Sequence, residues 1–383
     1  MTHVDKGTGP MRIGRIFGID IVINLSWLFI FAFVAWSLAE VGPFRLVNVT
    51  PFERMILGII TAILFFASVL AHELAHSLVA RRRGIPIKQI TLFIFGGVSS
   101  LEGEPTTAPV EAWIAFVGPL TSIIIGVLFF LLSALIGQAT PIGISAGYLA
   151  FANVVLGIFN LLPAYPLDGG RVLHALVWRW TQSRLRATQI AATIGRIMAI
   201  FFVGYGIFET LYSAGGSFSG LWLVFIGWFL LQAGGAEQMH AELLSALQGL
   251  TAADIAVPAP EPVPADATAD VALQIMMRTG NRALPVVLGD QLLGILTMSD
   301  FVKLTDRGPA DVYVTSLMTR AADLKSAKPS TSAIDVLQML SKAGVAQIPI
   351  INDDGTLIGF VTRESILKRL PLQRELRKVS RAA

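Results

Sequence analysis

The chain has 383 residues, of which 54% are hydrophobic and 14% are charged, and its mean hydropathy is +0.67. A soluble domain carries about 25% charged residues, so this composition excludes an ordinary soluble enzyme and indicates a multi-span membrane protein. The net charge is +3, but the basic residues cluster beside apolar segments, and we therefore expect no nucleic acid partner. No cysteine is present, which excludes disulfides and thiolate metal sites.

Six apolar stretches are long enough to cross a bilayer, which takes a helix of about 20 residues. They predict spans at 18–40, 54–80, 109–137, 145–165, 189–213 and 218–235. Lys and Arg residues precede the first span and follow the second and fourth, whereas the loops near 138–146 and 214–217 carry no charge. The positive-inside rule then predicts a multi-pass protein of the cell membrane with both termini in the cytoplasm.

Residues 85–101, between the second and third spans, are too few and too rich in β-branched residues for a further span. They predict two strands that are joined or kinked at Gly96-Gly97. Such a segment is tolerated at membrane depth only where protein or a water-filled cavity surrounds it. An ordinary interfacial loop is the alternative.

The second span contains His72-Glu73-Leu74-Ala75-His76 within an otherwise apolar run. Two histidines and a carboxylate are costly in hydrocarbon, so they indicate a function. Positions i and i+4 share one face of a helix, so His72 and His76 can bind one metal ion. Glu73 lies beside that face and can take a proton from water that the metal activates. A buried polar network between helices is the alternative, and membrane burial makes it costly.

A catalytic zinc site needs three protein ligands and an open position, and Asp168 is the best third ligand. It lies in a stretch that begins at Asn160, contains two prolines and ends at Gly169-Gly170. The backbone can therefore turn there and present the carboxylate inward. Taken alone, Asp168 reads as the N-cap of a helix that starts near Gly169. His174 lies in an interfacial segment rich in tryptophan, and we expect it to have a structural role rather than to bind metal.

The C-terminal part contains an internal repeat. Leu273-Gln274-Ile275-Met276 matches Leu337-Gln338-Met339-Leu340, and Gly294-Ile295-Leu296-Thr297 matches Gly359-Phe360-Val361-Thr362. Each unit predicts the order helix, strand, turn, strand, helix. Two copies indicate a paired α/β module, because a solenoid needs at least three. The predicted organisation is a membrane domain at 1–235, a helical connector at 236–250, repeats at 251–306 and 312–371, and a basic tail at 372–383.

With these motifs, the chain resembles the site-2 proteases, which are intramembrane zinc metalloproteases, in the subgroup with C-terminal CBS domains. The resemblance rests on the His72–His76 motif and the stretch from Asn160 to Gly170, and it extends to Phe95-Gly96-Gly97-Val98 and Gly118-Pro119-Leu120. It implies a polytopic α-helical membrane domain of about six spans, with a short membrane-associated β segment, followed by an α/β CBS-pair domain.

The resemblance also implies roles for individual residues. One Zn2+ per chain would be held by His72, His76 and Asp168, with Glu73 as general base. Asn160 would position substrate or stabilise the oxyanion.

The strand segment at Gly96 and Gly97 would engage the substrate. That substrate would be a membrane-anchored protein in the bilayer, such as an anti-sigma factor or a similar regulator. CBS pairs commonly associate, so a homodimer is expected.

The repeats resemble CBS motifs, in which the family uses the equivalents of Thr297 and Asp300 for adenine nucleotides such as ATP or AMP. Thr362 is present in the second repeat, but Ser365 stands where the aspartate would be. A dimerisation or docking module without ligand is the alternative.

Two other classes of protein fit the composition: a CBS-regulated transporter or channel, and a metal-free membrane scaffold. A transporter has no need of an HExxH motif with a distal aspartate. The intact Glu73 and both histidines argue against a scaffold. The motifs therefore favour a zinc metalloendopeptidase.

Overall fold

The computed structural model describes residues 11–368 except 47, 95, 102, 104, 213–217, 290 and 305–307. The predicted basic tail at 372–383 and Phe95 of the strand motif lie outside the described residues. The chain divides into two compact units, Met1–Met239 and His240–Ala383, and each is described by itself.

The first unit combines long helices with one small sheet. Its elements are β1 (Met11–Ile16), β2 (Ile19–Ile23), α1 (Leu25–Glu40), α2 (Pro51–Arg82), β3 (Ile87–Phe93), β4 (Gly96–Leu101), α3 (Ala108–Ile136), α4 (Pro141–Asn160), α5 (Asp168–Thr181), α6 (Arg184–Tyr212) and α7 (Phe218–Leu247). Within the described residues, six helices are long and apolar enough to cross a membrane, namely α1, α2, α3, α4, α6 and α7. The predicted number of spans is confirmed, and α5 is a shorter amphipathic helix.

The predicted start of the first span at residue 18 is wrong. Residues 19–23 form strand β2, and α1 begins only at Leu25, where the Asn24 side chain accepts a hydrogen bond from the backbone N–H of Ser26. The strand buries Ile19, Ile21 and Ile23 in a cluster with partners from β3. A buried strand next to an apolar helix reads as one continuous apolar run, because periodicity alone does not separate the two.

The four strands form one sheet in the order β1-β2-β3-β4. The two predicted strands are confirmed as β3 and β4, which pair antiparallel, whereas the sequence did not predict β1 and β2. Strands β2 and β3 pair in parallel, with Ile21 opposite Ile90. The chain crosses from β2 to β3 through α1 and α2, so two spanning helices return it to the same side. Strand β4 lies at one edge of the sheet.

Helix α2 carries the HExxH motif, and local signals fix its beginning. Thr50 and Glu53 form a capping box, in which the backbone N–H of Thr50 donates to Glu53 Oε2 over 2.8 Å. Small residues then let neighbouring helices approach closely. A β-carbon at Gly58 would collide with the carbonyl of Ala35 in α1, and one at Gly126 of α3 would lie 2.7 Å from Val154 in α4.

The second unit contains the two repeats. Its elements are α8 (Ala252–Ile255), β5 (Val257–Pro258), β6 (Val263–Pro264), α9 (Ala269–Thr279), β7 (Ala283–Leu288), β8 (Gln291–Thr297), α10 (Val314–Leu317), β9 (Thr319–Arg320), α11 (Ala333–Ala343), β10 (Gln347–Ile351) and β11 (Leu357–Thr362). They form two sheets, β10-β11-β5 and β6-β7-β8-β9, each with its own apolar core. The predicted order of helix, strand, turn and strand is present in both repeats.

Two details of this organisation were not predicted. The residues predicted as a connector at 236–250 continue α7 without a break as far as Leu247. The first residues of the first repeat belong structurally with the second, because β5 pairs with β11 and Ile255 packs into the core around Leu340.

Candidate metal centre

Three side-chain atoms from two helices converge inside the first unit. The Nε2 atoms of His72 and His76 lie 3.1 Å apart, and each lies 3.2 Å from Asp168 Oδ2. His72 and His76 are one turn apart on α2, as their spacing predicts, and Asp168 is the first residue of α5. The structure therefore brings together the three residues that the sequence predicts as metal ligands.

Asp168 is not the helix N-cap that its sequence context alone would suggest. The N-cap of α5 is Leu167, and the Asp168 carboxylate instead faces the two histidines. Gly169 and Gly170 allow α5 to begin at this point, because a β-carbon at either position would overlap the backbone of residues 161–165. Only glycine permits that approach, which places the start of α5 against the preceding turn.

The orientation of both imidazole rings is fixed from α3. His76 Nδ1 donates a hydrogen bond to the carbonyl oxygen of Ile114 over 2.6 Å, and His72 Nδ1 lies 2.9 Å from Ser122 Oγ. A carbonyl can only accept, so His76 carries its proton on Nδ1 and presents the lone pair of Nε2 toward Asp168. Hydrogen bonds of this kind hold metal-binding histidines in the required tautomer.

Helix α3 also shapes the space beside the rings. A β-carbon at Gly118 would lie 2.8 Å from His72 Nε2 and closer still to His76 Nε2. Position 118 therefore requires a residue without a side chain.

These residues fit a zinc ion. Ligand atoms about 2.0–2.1 Å from a tetrahedral zinc lie about 3.3 Å from one another, and two imidazoles with one carboxylate are a ligand set of catalytic zinc sites with an open position. Burial raises the pKa of Asp168, but the adjacent imidazoles of His72 and His76 hold that pKa well below the usual range. The carboxylate is therefore an anion, as a cation site requires.

Glu73 is contacted by the small sheet. Its Oε2 accepts a hydrogen bond from Ser99 Oγ over 3.0 Å, and Ser99 Oγ lies 3.0 Å from Ser77 Oγ. A β-carbon at Gly97 would lie 3.0 Å from Glu73 Cδ and closer to Cγ. Gly96 has a φ of 124°, a conformation that favours glycine. Gly97 therefore lets β4 run directly against the side chain of Glu73.

Asn160 is the last residue of α4, and its Nδ2 donates to the carbonyl of Leu156 over 2.9 Å. Its contribution to catalysis stays a prediction.

His174 has the structural placement that was predicted. Its side chain is buried, Nδ1 donates to the Glu111 carboxylate over 2.9 Å, and Nε2 lies 3.3 Å from the carbonyl of Arg184. The sequence did not predict this partner, although an acidic residue near the start of an apolar span was a signal for it.

In the second unit, the predicted nucleotide residues lie at the end of a strand in each repeat. Asp300 Oδ2 accepts from both the backbone N–H and the Oγ1 hydroxyl of Thr297, over 2.8 and 2.6 Å. In the second repeat, Ser365 Oγ accepts from the backbone N–H of Thr362 over 3.1 Å. The turn is thus kept in both repeats, but the carboxylate is present only in the first.

Comparison with known protein families gives two matches. Residues 60–146 and 138–203 match the model of peptidase family M50, and residues 252–306 and 314–372 match the CBS domain. The two segments that match peptidase family M50 together include His72, His76 and Asp168.

Similar proteins cover nearly the whole chain. It is 35% identical over 371 residues to "Putative zinc metalloprotease sll0528" of Synechocystis sp., covering 94% of this chain and 95% of that protein. It is 34% identical over 370 residues to "Putative zinc metalloprotease Rip3" of Mycobacterium tuberculosis, covering 94% and 93%. Among solved structures, the site-2 protease from Methanocaldococcus jannaschii is 30% identical and covers 60% of this chain and 95% of its own, with a TM-score of 0.43. The chain therefore belongs to peptidase family M50, the site-2 protease family of zinc metalloproteases, and carries a C-terminal pair of CBS domains.

Proposed function

We propose that this protein is an intramembrane zinc endopeptidase that hydrolyses a peptide bond in or near the transmembrane segment of a membrane-anchored protein. The observation that carries this proposal is that Asp168 of α5 meets His72 and His76, beside Glu73, on the apolar spanning helix α2. A transporter or channel has no need of this ligand set.

Peptide hydrolysis requires an activated water and a stabilised oxyanion. When bound by His72, His76 and Asp168, zinc would polarise the scissile carbonyl and lower the pKa of water to about 7. The Glu73 carboxylate takes a proton from the attacking water and returns it to the leaving amine nitrogen as the C–N bond breaks. An amide NH2 group has two donors, so Asn160 can hold the oxyanion while it keeps its bond to Leu156.

A helical substrate hides its scissile bond behind its own hydrogen bonds, so it must unwind before cleavage. Strand β4 is an edge strand of the sheet, and an unwound segment can pair with such an edge by β-augmentation. The backbone at Gly97 lies beside Glu73, which would bring the paired segment to the general base.

We assign the protein to the cell membrane, with both ends of the chain and the CBS pair in the cytoplasm. Arg81, Arg82 and Arg83 follow the spanning part of α2, as the positive-inside rule requires for a cytoplasmic end. The pairing of β2 with β3 supports the same assignment, because it returns the chain to its starting side after two spans. The candidate metal centre then lies near the cytoplasmic side, where water has a short route to it.

We further propose that the CBS pair binds an adenine nucleotide, ATP or AMP, through Thr297, Asp300 and Thr362, and that it joins two chains in a homodimer. Equilibrium dialysis of Asp300→Asn against wild type, with Asp335→Ala, an exposed aspartate of the other repeat, as the control, tests the nucleotide. Loss of binding in Asp300→Asn alone supports the assignment, whereas no binding to wild type at millimolar nucleotide overturns it.

One experiment tests the main proposal. Purified wild type, Glu73→Gln and Asp168→Ala are analysed for zinc and are incubated in liposomes with single-span proteins, including an anti-sigma factor. We expect zinc and cleavage in wild type, zinc without cleavage in Glu73→Gln, and neither in Asp168→Ala. Absence of zinc from wild type would overturn the proposal.

A further inference from the structure

We infer that Ser99 of β4 is a positioning residue for the Glu73 carboxylate, and that Ser77 of α2 holds Ser99 in place by a hydrogen bond. The strand proposed to receive substrate would thereby also orient the general base. This inference rests on the proposed function of Glu73, and the hydrogen-bonded chain itself can be tested apart from it.

The direction of the hydrogen bonds follows from their chemistry. A serine hydroxyl has one proton to donate, and Ser99 gives it to Glu73 Oε2 over 3.0 Å. In the 3.0 Å contact between the two hydroxyls, Ser77 must therefore donate to Ser99. The hydrogen bonds run from Ser77 through Ser99 to Glu73. They engage Oε2 of the carboxylate and leave Oε1 for the attacking water.

Two elements hold this chain. Ser77 lies four residues after Glu73, on the same face of α2, and it is fully buried. Ser99 and Gly97 lie on one face of β4, because side chains two residues apart in a strand share a face. Gly97 approaches Glu73 so closely that only glycine fits. Strand β4 therefore contacts the carboxylate directly, and Ser77 of α2 acts on it only through Ser99.

Strand β4 is supported along one edge only. Gly97 pairs with Leu92 and Ser99 pairs with Ile90, both of which are buried in β3. The opposite edge of β4 has no partner strand within the described part of the sheet. A substrate segment that pairs along this edge would restrain the strand that carries Ser99, so substrate binding and alignment of the base are coupled.

The first test separates positioning from stability and metal binding. Ser99→Ala and Ser77→Ala are compared with Ser99→Thr, which keeps the hydroxyl, and with Ser68→Ala. Ser68 is the matched control, because it is a buried serine of α2 whose hydroxyl donates only to Phe65 of its own helix.

In cleavage assays we expect kcat to fall about 10- to 100-fold in Ser99→Ala, less than loss of the general base itself would cost. KM should stay within about twofold, zinc content should be unchanged, and Ser99→Thr and Ser68→Ala should stay near wild type. A loss of zinc in Ser99→Ala, or no rescue by threonine, would show a merely structural role and overturn the inference.

The second test does not depend on proteolysis. Isotope-edited infrared spectra of glutamate-labelled protein identify the Glu73 carboxylate band as the one that is missing from Glu73→Gln. We expect this band to shift in Ser99→Ala and Ser77→Ala and to stay in place in Ser68→Ala. An unmoved band overturns the inference even if the enzyme cleaves. A shifted band in a protein that cleaves nothing would leave the hydrogen-bonded chain intact and count against the proposed function instead.

Discussion

The backbone of Gly118 in α3 lies against the imidazole of His76 in α2, closer than any side chain at position 118 would allow. A β-carbon there would also lie 2.8 Å from Nε2 of His72. Both rings are oriented by α3 as well, through Ile114 and Ser122. Helix α3 supplies none of the three predicted ligands, yet it fixes where two of them point.

The variant Gly118→Ala should therefore lose zinc. The added methyl group must displace one or both rings, and loss of ligand orientation costs about 10- to 100-fold in metal affinity. Metal analysis and a competition titration with a fluorescent zinc chelator measure this. Gly204→Ala is the matched control, because Gly204 lies in α6 with no atom within 4 Å of its added β-carbon. Normal zinc affinity in Gly118→Ala would contradict the described approach of α3.

Glu73→Gln should keep its zinc and lose cleavage by about 100-fold or more, since general base catalysis contributes about 10²–10⁴. Glutamine has almost the same shape and a carbonyl oxygen that can accept the hydrogen bond from Ser99, so the local structure should be retained. Zinc content and initial cleavage rate are measured on the same preparation. Hydrolysis at the wild-type rate by pure protein would remove Glu73 from the role of general base.

Removing the metal should lower the thermal stability of wild type, because the ligands lie on two helices, α2 and α5. A ligand at 100 times its Kd stabilises the folded state by about 2.7 kcal/mol. A melting curve with and without chelator should thus show a shift in wild type and almost none in Asp168→Ala. The control Asp335→Ala, an exposed aspartate in the first turn of another helix, should respond to chelator as wild type does. An equal shift in Asp168→Ala would argue against Asp168 as a ligand.

The buried pair of Glu111 and His174 should stabilise the contact of α3 with α5. Replacing either residue with leucine leaves the other buried without its partner, which costs about 3–5 kcal/mol. Replacing both should recover part of the lost melting temperature, because no polar group is then left unpaired. Arg196→Ala, which removes an exposed hydrogen bond to Gln238, is the control and should change little. A double variant that is additive would show that the two side chains do not act as a pair.

The convergence of the three candidate metal ligands could be predicted because each residue leaves a local signal in the sequence. His72 and His76 have helical spacing in an apolar span, and Asp168 stands beside two glycines after a broken helix. Ser99 left no such signal. Its contact with Glu73 depends on the register of β4 against β3, which local patterns do not determine.

Two further features could not be predicted from the sequence, because they too depend on tertiary packing. Glu111 and His174 are separated by 63 residues, and their contact depends on how two helices pack. Strand β2 was merged into the first span because its apolar residues are buried in the sheet rather than in lipid.

The parallel pairing of β2 with β3 has a consequence for the order in which the protein is made. Strand β2 leaves the ribosome first, but its partner follows only after α1 and α2 have been synthesised. Strand β4 and Ser99 emerge later still, and Asp168 after two more membrane helices. A nascent chain that already contains the HExxH helix at first lacks both Ser99 and Asp168, so the candidate metal centre is complete only when nearly half of the chain has been translated.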